Sequence, residues 1–360
     1  MHVIVRNSLK FLAVVIAFVI TLVLYNYLRF IVFWSPTENV AFTSEDGTRL
    51  SGTLVKPSDE GIFPAVVMLH GSGPESMDGP SYHVIANTIV RSGFAVLLYD
   101  KRGVGASAGD FDTALYRDFV ADAVAAVDYL ATRDDIDTSG IGVQGNSESG
   151  WLTPEVAHTT RKVAFVFNRV GSPLSWVETV LWEVRNDFLS AGIADSDVDE
   201  LVAVTRRRWN YYIAAGNDSD LADGAERDAV NAELTLLRSS VPNADNVLPE
   251  SIVSYDADAY AAYAADLSYD PGPFLEAIDI PMIYTFGETD INIPTSRSVE
   301  FLETFRQQYD KDIDIVVFEG VGHPMANWSG AFTAGYVPAY LELVESWYGE
   351  QAFSQANSQP

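Results

Sequence analysis

Apolar and polar positions divide the chain into one long uninterrupted apolar stretch and a series of short apolar runs that alternate with amphipathic ones. From Phe11 to Leu28 no charged residue occurs, and only Thr21, Asn26 and two tyrosines break the run. Eighteen residues at ~1.5 Å each span ~27 Å as a helix, close to a hydrocarbon core of ~30 Å. Tyr25, Tyr27, Phe30, Phe33 and Trp34 follow as the expected interfacial belt. A cleavable signal has a shorter apolar core and a small-residue cleavage site, so an uncleaved anchor is favoured over a cleaved signal or a buried helix. Arg6, Lys10 and the amino terminus precede the stretch and Arg29 follows it. That bias leans toward a cytoplasmic amino end, with the globular part periplasmic or extracellular.

Beyond the anchor, Val40–Ser44 and Arg49–Lys56 flank Asp46-Gly47, a strong hairpin signal. Ala65–Leu69 and Phe94–Tyr99 read as buried strands, with helical periodicity from Tyr82 to Val90 between them. Leu115, Phe119, Ala123, Val127 and Leu130 fall on one helical face. Strands at Ile141–Gln144 and Val163–Phe167 enclose a helix over Glu148–His158. Such alternation predicts a mostly parallel, doubly wound α/β sheet with its functional loops at the carboxyl ends of the strands.

Between Ser172 and Pro273 the alternation stops, and the segment is helical and rich in Trp and Tyr. Strands return at Met282–Phe286 and Ile313–Phe318, and a closing helix is expected over Phe332–Tyr348. The predicted organisation is therefore a tail over 1–10, an anchor over 11–30, a core in two parts (38–171 and 274–349), a helical cap inserted over 172–273, and a loose polar tail over 350–360. The aromatic cap positions are expected mainly to pack on one another, the alternative being a lining for the site.

Candidate chemistry centres on Ser147, in Gly145-Asn146-Ser147-Glu148-Ser149-Gly150, between a strand and a helix. Small residues flanking a serine at such a turn expose its hydroxyl at the end of a parallel sheet. A free hydroxyl is too weak for acyl transfer and needs a neighbouring base. Of the histidines, His2 precedes the anchor, His70 lies in a loop, and His83 and His158 fall on predicted helices. His323, in Gly320-Val321-Gly322-His323, alone follows a late strand and is the candidate base. Asp290 and Glu288 lie between them in the chain, giving the order serine, acid, histidine.

From about Val40 to Tyr348 the chain resembles the α/β-hydrolase superfamily. It is similar to bacterial esterase-like members with a helical insert, often grouped with serine aminopeptidase-like or dienelactone-hydrolase-like sequences. The resemblance rests on His70-Gly71-Ser72-Gly73-Pro74, Asp100-Lys101-Arg102-Gly103-Val104-Gly105, Gly145–Gly150, Gly287–Asp290 with Ile293-Pro294, and Gly322-His323. Ser149 stands where the G-x-S-x-G pattern has its second glycine. The resemblance implies Ser147 as nucleophile, His323 as base, Asp290 rather than Glu288 as the orienting acid, and backbone N–H groups of Ser72 and Glu148 as oxyanion donors. It implies cleavage of a small-molecule carboxylic ester through an acyl-enzyme. His70 is expected to brace its loop, and Asp100 with Arg102 to form a structural pair. Because the donors are backbone groups, the Glu148 side chain is expected to be free to vary.

Composition narrows the partners. Net charge is −28 with 22 basic residues, so nucleic acid would be repelled over most of the surface. An acidic balance of this kind resembles that of proteins from salty habitats. Cysteine is absent, which removes disulfides and thiol chemistry. No paired His/Cys/Asp cluster has metal-ligand spacing and no glycine loop suits a phosphate or dinucleotide, so no cofactor or metal is expected. Two alternatives remain. One is an amide hydrolase that holds a substrate amine on a cap acid such as Glu178, Glu183 or Glu233; the other is a non-catalytic, membrane-anchored binding module.

Overall fold

A computed structural model describes residues 2–221 and 224–358 of the chain. Helix α1 (His2–Asn26) runs into a π-helical turn at Tyr27–Ile31. Its segment Ser8–Ile31 is long and apolar enough to cross a membrane, with a mean hydropathy of 2.4 in its most apolar window. The core then begins with β1 (Thr37–Thr43), β2 (Arg49–Val55), β3 (Phe63–Met68), α2 (Pro80–Arg91) and β4 (Ala95–Tyr99). It continues with α3 (Tyr116–Ala131), β5 (Ile136–Asn146), α4 (Ser149–Thr160) and β6 (Phe165–Arg169). A helical insert follows, built from α5 (Trp176–Ser190), α6 (Asp195–Asn217), α7 (Ala225–Ser240), α8 (Ala257–Leu267) and α9 (Gly272–Ala277). The sheet resumes with β7 (Met282–Gly287), α10 (Thr295–Tyr309), β8 (Ile313–Phe318) and closes on α11 (Pro338–Ser358).

The eight strands form one sheet in the order β1-β2-β4-β3-β5-β6-β7-β8, with β2 antiparallel to both neighbours and every other pair parallel. This is the α/β-hydrolase fold. Central strands covered on both faces need no polar alternation, which is why β3 and β4 are unbroken apolar runs in the sequence and β7 is broken only by the buried Thr285. One face packs under α3, α4 and α10 through residues such as Val127, Val156 and Leu302. The other packs under α2 and α11 through Ile89, Phe165 and Tyr348. The insert has a core of its own, in which Trp209, Tyr211, Tyr212 and Tyr260 are buried together.

Three expectations change. Phe30 is buried in the second core and Phe33 stacks on His83 at 4.5 Å between ring centres, so neither belongs to an exposed belt. Tyr25, Tyr27 and Trp34 do face outward. The closing helix starts later than expected, at Pro338, and continues through Gln351 to Ser358, so the region expected to be a loose tail is helical up to that point; residues 359–360 lie outside the described residues. The junction is bound tightly, because Asn87 donates to the Phe30 carbonyl at 2.8 Å and His83 Nδ1 meets the Ile31 carbonyl at 3.1 Å.

Candidate active site

Ser147 occupies the turn between β5 and α4 with φ of +53°, a left-handed backbone that few non-glycine residues adopt. The turn is sharp because its neighbours are small: a Cβ added to Gly150 would lie 2.4 Å from the Gly171 Cα, so the start of α4 and the loop just after β6 touch backbone to backbone. Ser149 serves in place of the second glycine of the pattern. Its hydroxyl accepts from the Asn146 N–H at 2.7 Å and donates to the Asn146 carbonyl at 3.1 Å, clamping the turn. Asn146 in turn donates to the Leu69 carbonyl at 2.6 Å, tying the turn to the end of β3.

His323 Nε2 lies 2.9 Å from Ser147 Oγ, and its Nδ1 lies 2.8 Å from Asp290 Oδ2. These three side chains, separated by up to 176 positions, therefore form one continuous chain of hydrogen bonds. Asp290 is buried, and its second oxygen accepts the N–H groups of Asn292 at 2.8 Å and Ile293 at 3.0 Å. Its loop and the histidine loop are pressed together at Gly287, where a Cβ would sit 2.4 Å from the Val321 carbonyl oxygen. The competitor Glu288 points elsewhere and accepts the Gly320 N–H at 2.8 Å. From the insert, Trp182 donates to the Asp290 carbonyl at 3.3 Å, and Asn186 donates to the Ile291 carbonyl at 2.8 Å.

The serine opens into a cleft of about 450 Å³ whose lining includes Gly71, Ser72, Glu75, Tyr82, Arg169, Asn292, His323 and Tyr336. Apart from hydrogen bonds within helices and strands, neither the Ser72 nor the Glu148 N–H has a protein acceptor among the described residues. None of the tryptophans and tyrosines of the insert lines this cleft. A profile of the X-Pro dipeptidyl-peptidase (S15) family matches residues 46–323, well over half of the chain, and spans all three hydrogen-bonded side chains. The chain belongs to the X-Pro dipeptidyl-peptidase (S15) family.

Among proteins similar to this S15-family chain, esterase EstD of Thermotoga maritima is 27% identical over 290 residues, covering 79% of this chain and 60% of its own length. The uncharacterized peptidase YuxL of Bacillus subtilis is 29% identical over 136 residues, 36% of this chain and 20% of YuxL. The chain thus spans less than two thirds of either relative. Among solved structures, Pyrococcus furiosus esterase PF2001 superposes with a TM-score of 0.56 at 16% identity, covering 89% of this chain and 91% of that one. Est1E of Butyrivibrio proteoclasticus, solved with ferulic acid bound, gives 0.54 at 16% identity over 89% and 100%. At that identity these likenesses speak to the fold alone.

In this S15-family site several residues make contacts that their sequence motifs do not reveal, and Arg169 lies in no motif at all. Lys101 is buried and donates to the Gly71 carbonyl at 2.5 Å, the Gly73 carbonyl at 3.1 Å and Glu148 Oε1 at 3.0 Å. It therefore joins the loop after β3 to the residue following Ser147, so the Glu148 side chain, expected to be free to vary, is engaged in a buried ion pair. Burial pushes the Glu148 carboxyl above its usual range, against the pull of Lys101. The Asp100–Arg102 pairing is also corrected. Arg102 is bidentate to Asp122 at 2.6 and 2.8 Å, while Asp100 accepts from Ser76, Met77 and Ala106. His70 braces its loop by packing between Tyr82 and Tyr99, with both ring nitrogens unpartnered, and burial holds its pKa down to about 3. Arg169 lines the cleft, accepts the Ser147 N–H on its carbonyl at 2.9 Å, and donates to the Pro324 carbonyl beside His323 at 2.8 Å.

Proposed function

We propose that this chain is a serine hydrolase that cleaves carboxylic esters through an acyl-enzyme, and that its amino-terminal helix tethers it to a membrane. The observation that carries the catalytic reading is the unbroken Ser147–His323–Asp290 hydrogen-bond chain at 2.9 and 2.8 Å on the floor of an open cleft. His323 takes the Ser147 proton as the hydroxyl oxygen attacks the ester carbonyl, and gives it to the departing alkoxide. Asp290, fixed by two backbone N–H groups, keeps the Nδ1 proton facing itself and stabilises the imidazolium. The Ser72 and Glu148 N–H groups receive the oxyanion, and water, deprotonated by the same imidazole, then releases the acid. Ester rather than amide cleavage is favoured by the longer match to an esterase.

Amide cleavage is the second reading, favoured by the family's description. It needs a free carboxylate for the substrate amine. Glu178 is engaged by Arg206 and Arg297, and Glu233 by Arg207, whereas Glu183 meets only the Asn292 amide among the described residues. The test is labelling with a fluorophosphonate, followed by turnover of p-nitrophenyl esters against Xaa-Pro p-nitroanilides. Labelling at Ser147 with ester turnover is expected; a faster anilide reaction would move the assignment to the amide reading, and absence of labelling would end both.

Lys101 supplies a further expected result. Lys101→Met strands the buried Glu148 carboxylate and frees two loop carbonyls, a loss of about 3–5 kcal/mol by the usual cost of breaking a buried pair. Lys101→Met/Glu148→Gln should recover most of that stability in a urea titration but not kcat, because the loop bearing the Ser72 N–H is no longer held against the Ser147 turn. Full activity in the double variant would show that the latch has no part in catalysis.

A further inference from the structure

The wall of the cleft next to His323 is also the part of the body that meets the end of α1. Residues 325–337 form a compact loop closed by a bridge between Ala326 and Tyr336 and by the Val337 N–H donating to the Met325 carbonyl at 3.0 Å. Met325 and Tyr336 point into the second core, and Ala326 and Tyr336 line the cleft. Trp328 and Phe332 point the other way, with 90% and 58% of their surfaces exposed. Large aromatic side chains left in water on a tightly built loop forgo a favourable burial, so a partner surface is expected.

The structure fixes the height of that loop along α1. Asn26 donates to the Ala331 carbonyl at 2.8 Å and accepts the Ala334 N–H at 3.0 Å, so the loop is docked at the level where the apolar helix ends. Tyr25, Tyr27 and Trp34 are exposed at the same end. Trp and Tyr at the ends of a spanning helix are the residues that settle in the headgroup layer, apolar ring inward and polar edge outward. Charge agrees: from Val321 to Leu341 there is no Asp, Glu, Lys or Arg, in a chain whose net charge is −28. An acidic face would be held off an anionic leaflet, and this uncharged segment would not be.

We infer that the loop over 325–337 seats on the bilayer surface with Trp328 and Phe332 in the interfacial layer, so that the Ser147 cleft takes acyl esters residing in the membrane. The inference rests on the tethering proposed above. It adds a second, lateral contact and a substrate source. Its opposite wall hangs from the same contact, since Arg169 holds the Pro324 carbonyl at the start of the loop.

Because the chain has no cysteine, single labels can be placed cleanly. Full-length Ser329→Cys and Ala17→Cys proteins, each carrying a bimane label, would be reconstituted into phosphatidylcholine vesicles with doxyl-labelled lipids. Quenching at 329 by a shallow doxyl group and at 17 by a deep one is expected. A quenched label at 17 with a water-exposed label at 329 would overturn the inference and leave the tether standing; water exposure at both would remove the tether and the inference together. In a second arm, Trp328→Ser/Phe332→Ser should leave p-nitrophenyl acetate turnover unchanged. It should slow turnover of p-nitrophenyl palmitate dissolved in the vesicles at least about tenfold, as two aromatic side chains lose their lipid contact. Equal turnover of the vesicle-borne ester would count against the inference, and absence of turnover of either ester by the unaltered protein would count against ester hydrolysis instead, leaving the quenching arm to decide the surface.

Discussion

Ser147→Ala is expected to reduce turnover of p-nitrophenyl acetate by about a millionfold, the scale seen when a triad nucleophile is removed from a serine hydrolase. The loss follows from geometry: no other hydroxyl lies within hydrogen-bonding distance of His323 Nε2 among the described residues. Ser149, the other serine of the turn, is buried and spends its hydroxyl on the Asn146 backbone, so it cannot take over. The fold should survive, since alanine tolerates the same backbone and only one hydrogen bond disappears. Ser147→Gly sharpens the test. A left-handed conformation costs a non-glycine residue roughly 1–2 kcal/mol, so the glycine variant should be equally inactive yet melt a few degrees higher. Retained ester turnover in either variant, with native circular dichroism, would remove Ser147 from the mechanism.

Asp290→Asn should cost about 10⁴-fold in kcat, comparable with the loss when the orienting carboxylate of a catalytic triad is made an amide. Asp290 is surrounded by donors: the N–H groups of Asn292 and Ile293 on one oxygen and His323 Nδ1 on the other. An amide can satisfy the backbone donors only by turning its NH₂ toward Nδ1. That forces the proton onto Nε2, where it faces Ser147 Oγ and can no longer accept the hydroxyl proton. KM should change little, because Asp290 lies behind the imidazole and does not line the cleft. Stopped-flow measurement of acylation separates the two parameters. A loss carried by KM alone would mean that Asp290 shapes the cleft without orienting the base.

The layered sheet was legible because parallel central strands must be apolar on both faces, and β3 and β4 satisfy this without interruption. The turn at Ser147 was legible because close contact of helix and strand leaves room only for small residues. Helix α10 gave no such signal: its buried positions, Thr295, Ser298, Leu302 and Phe305, include two hydroxyl residues, so its apolar stripe is short. Lys101 was visible only as one charge in a loop motif. What it does depends on two carbonyls about 30 positions upstream and a carboxylate 47 positions downstream, which no local pattern encodes. Phe30 and Phe33 were misread for a related reason, since an aromatic residue just past an apolar helix looks the same whether lipid or protein receives it.

The burial of Phe30, with Asn87 and His83 gripping the carbonyls around it, packs the end of the apolar helix directly onto the catalytic body. If the helix is set in a bilayer as proposed, the body would ride at a height fixed by this contact, without the swing a disordered leash would allow. For the same reason, a water-soluble fragment should be cut ahead of Phe30, since removing that ring would open a hole beneath α2 in the hydrolase core itself.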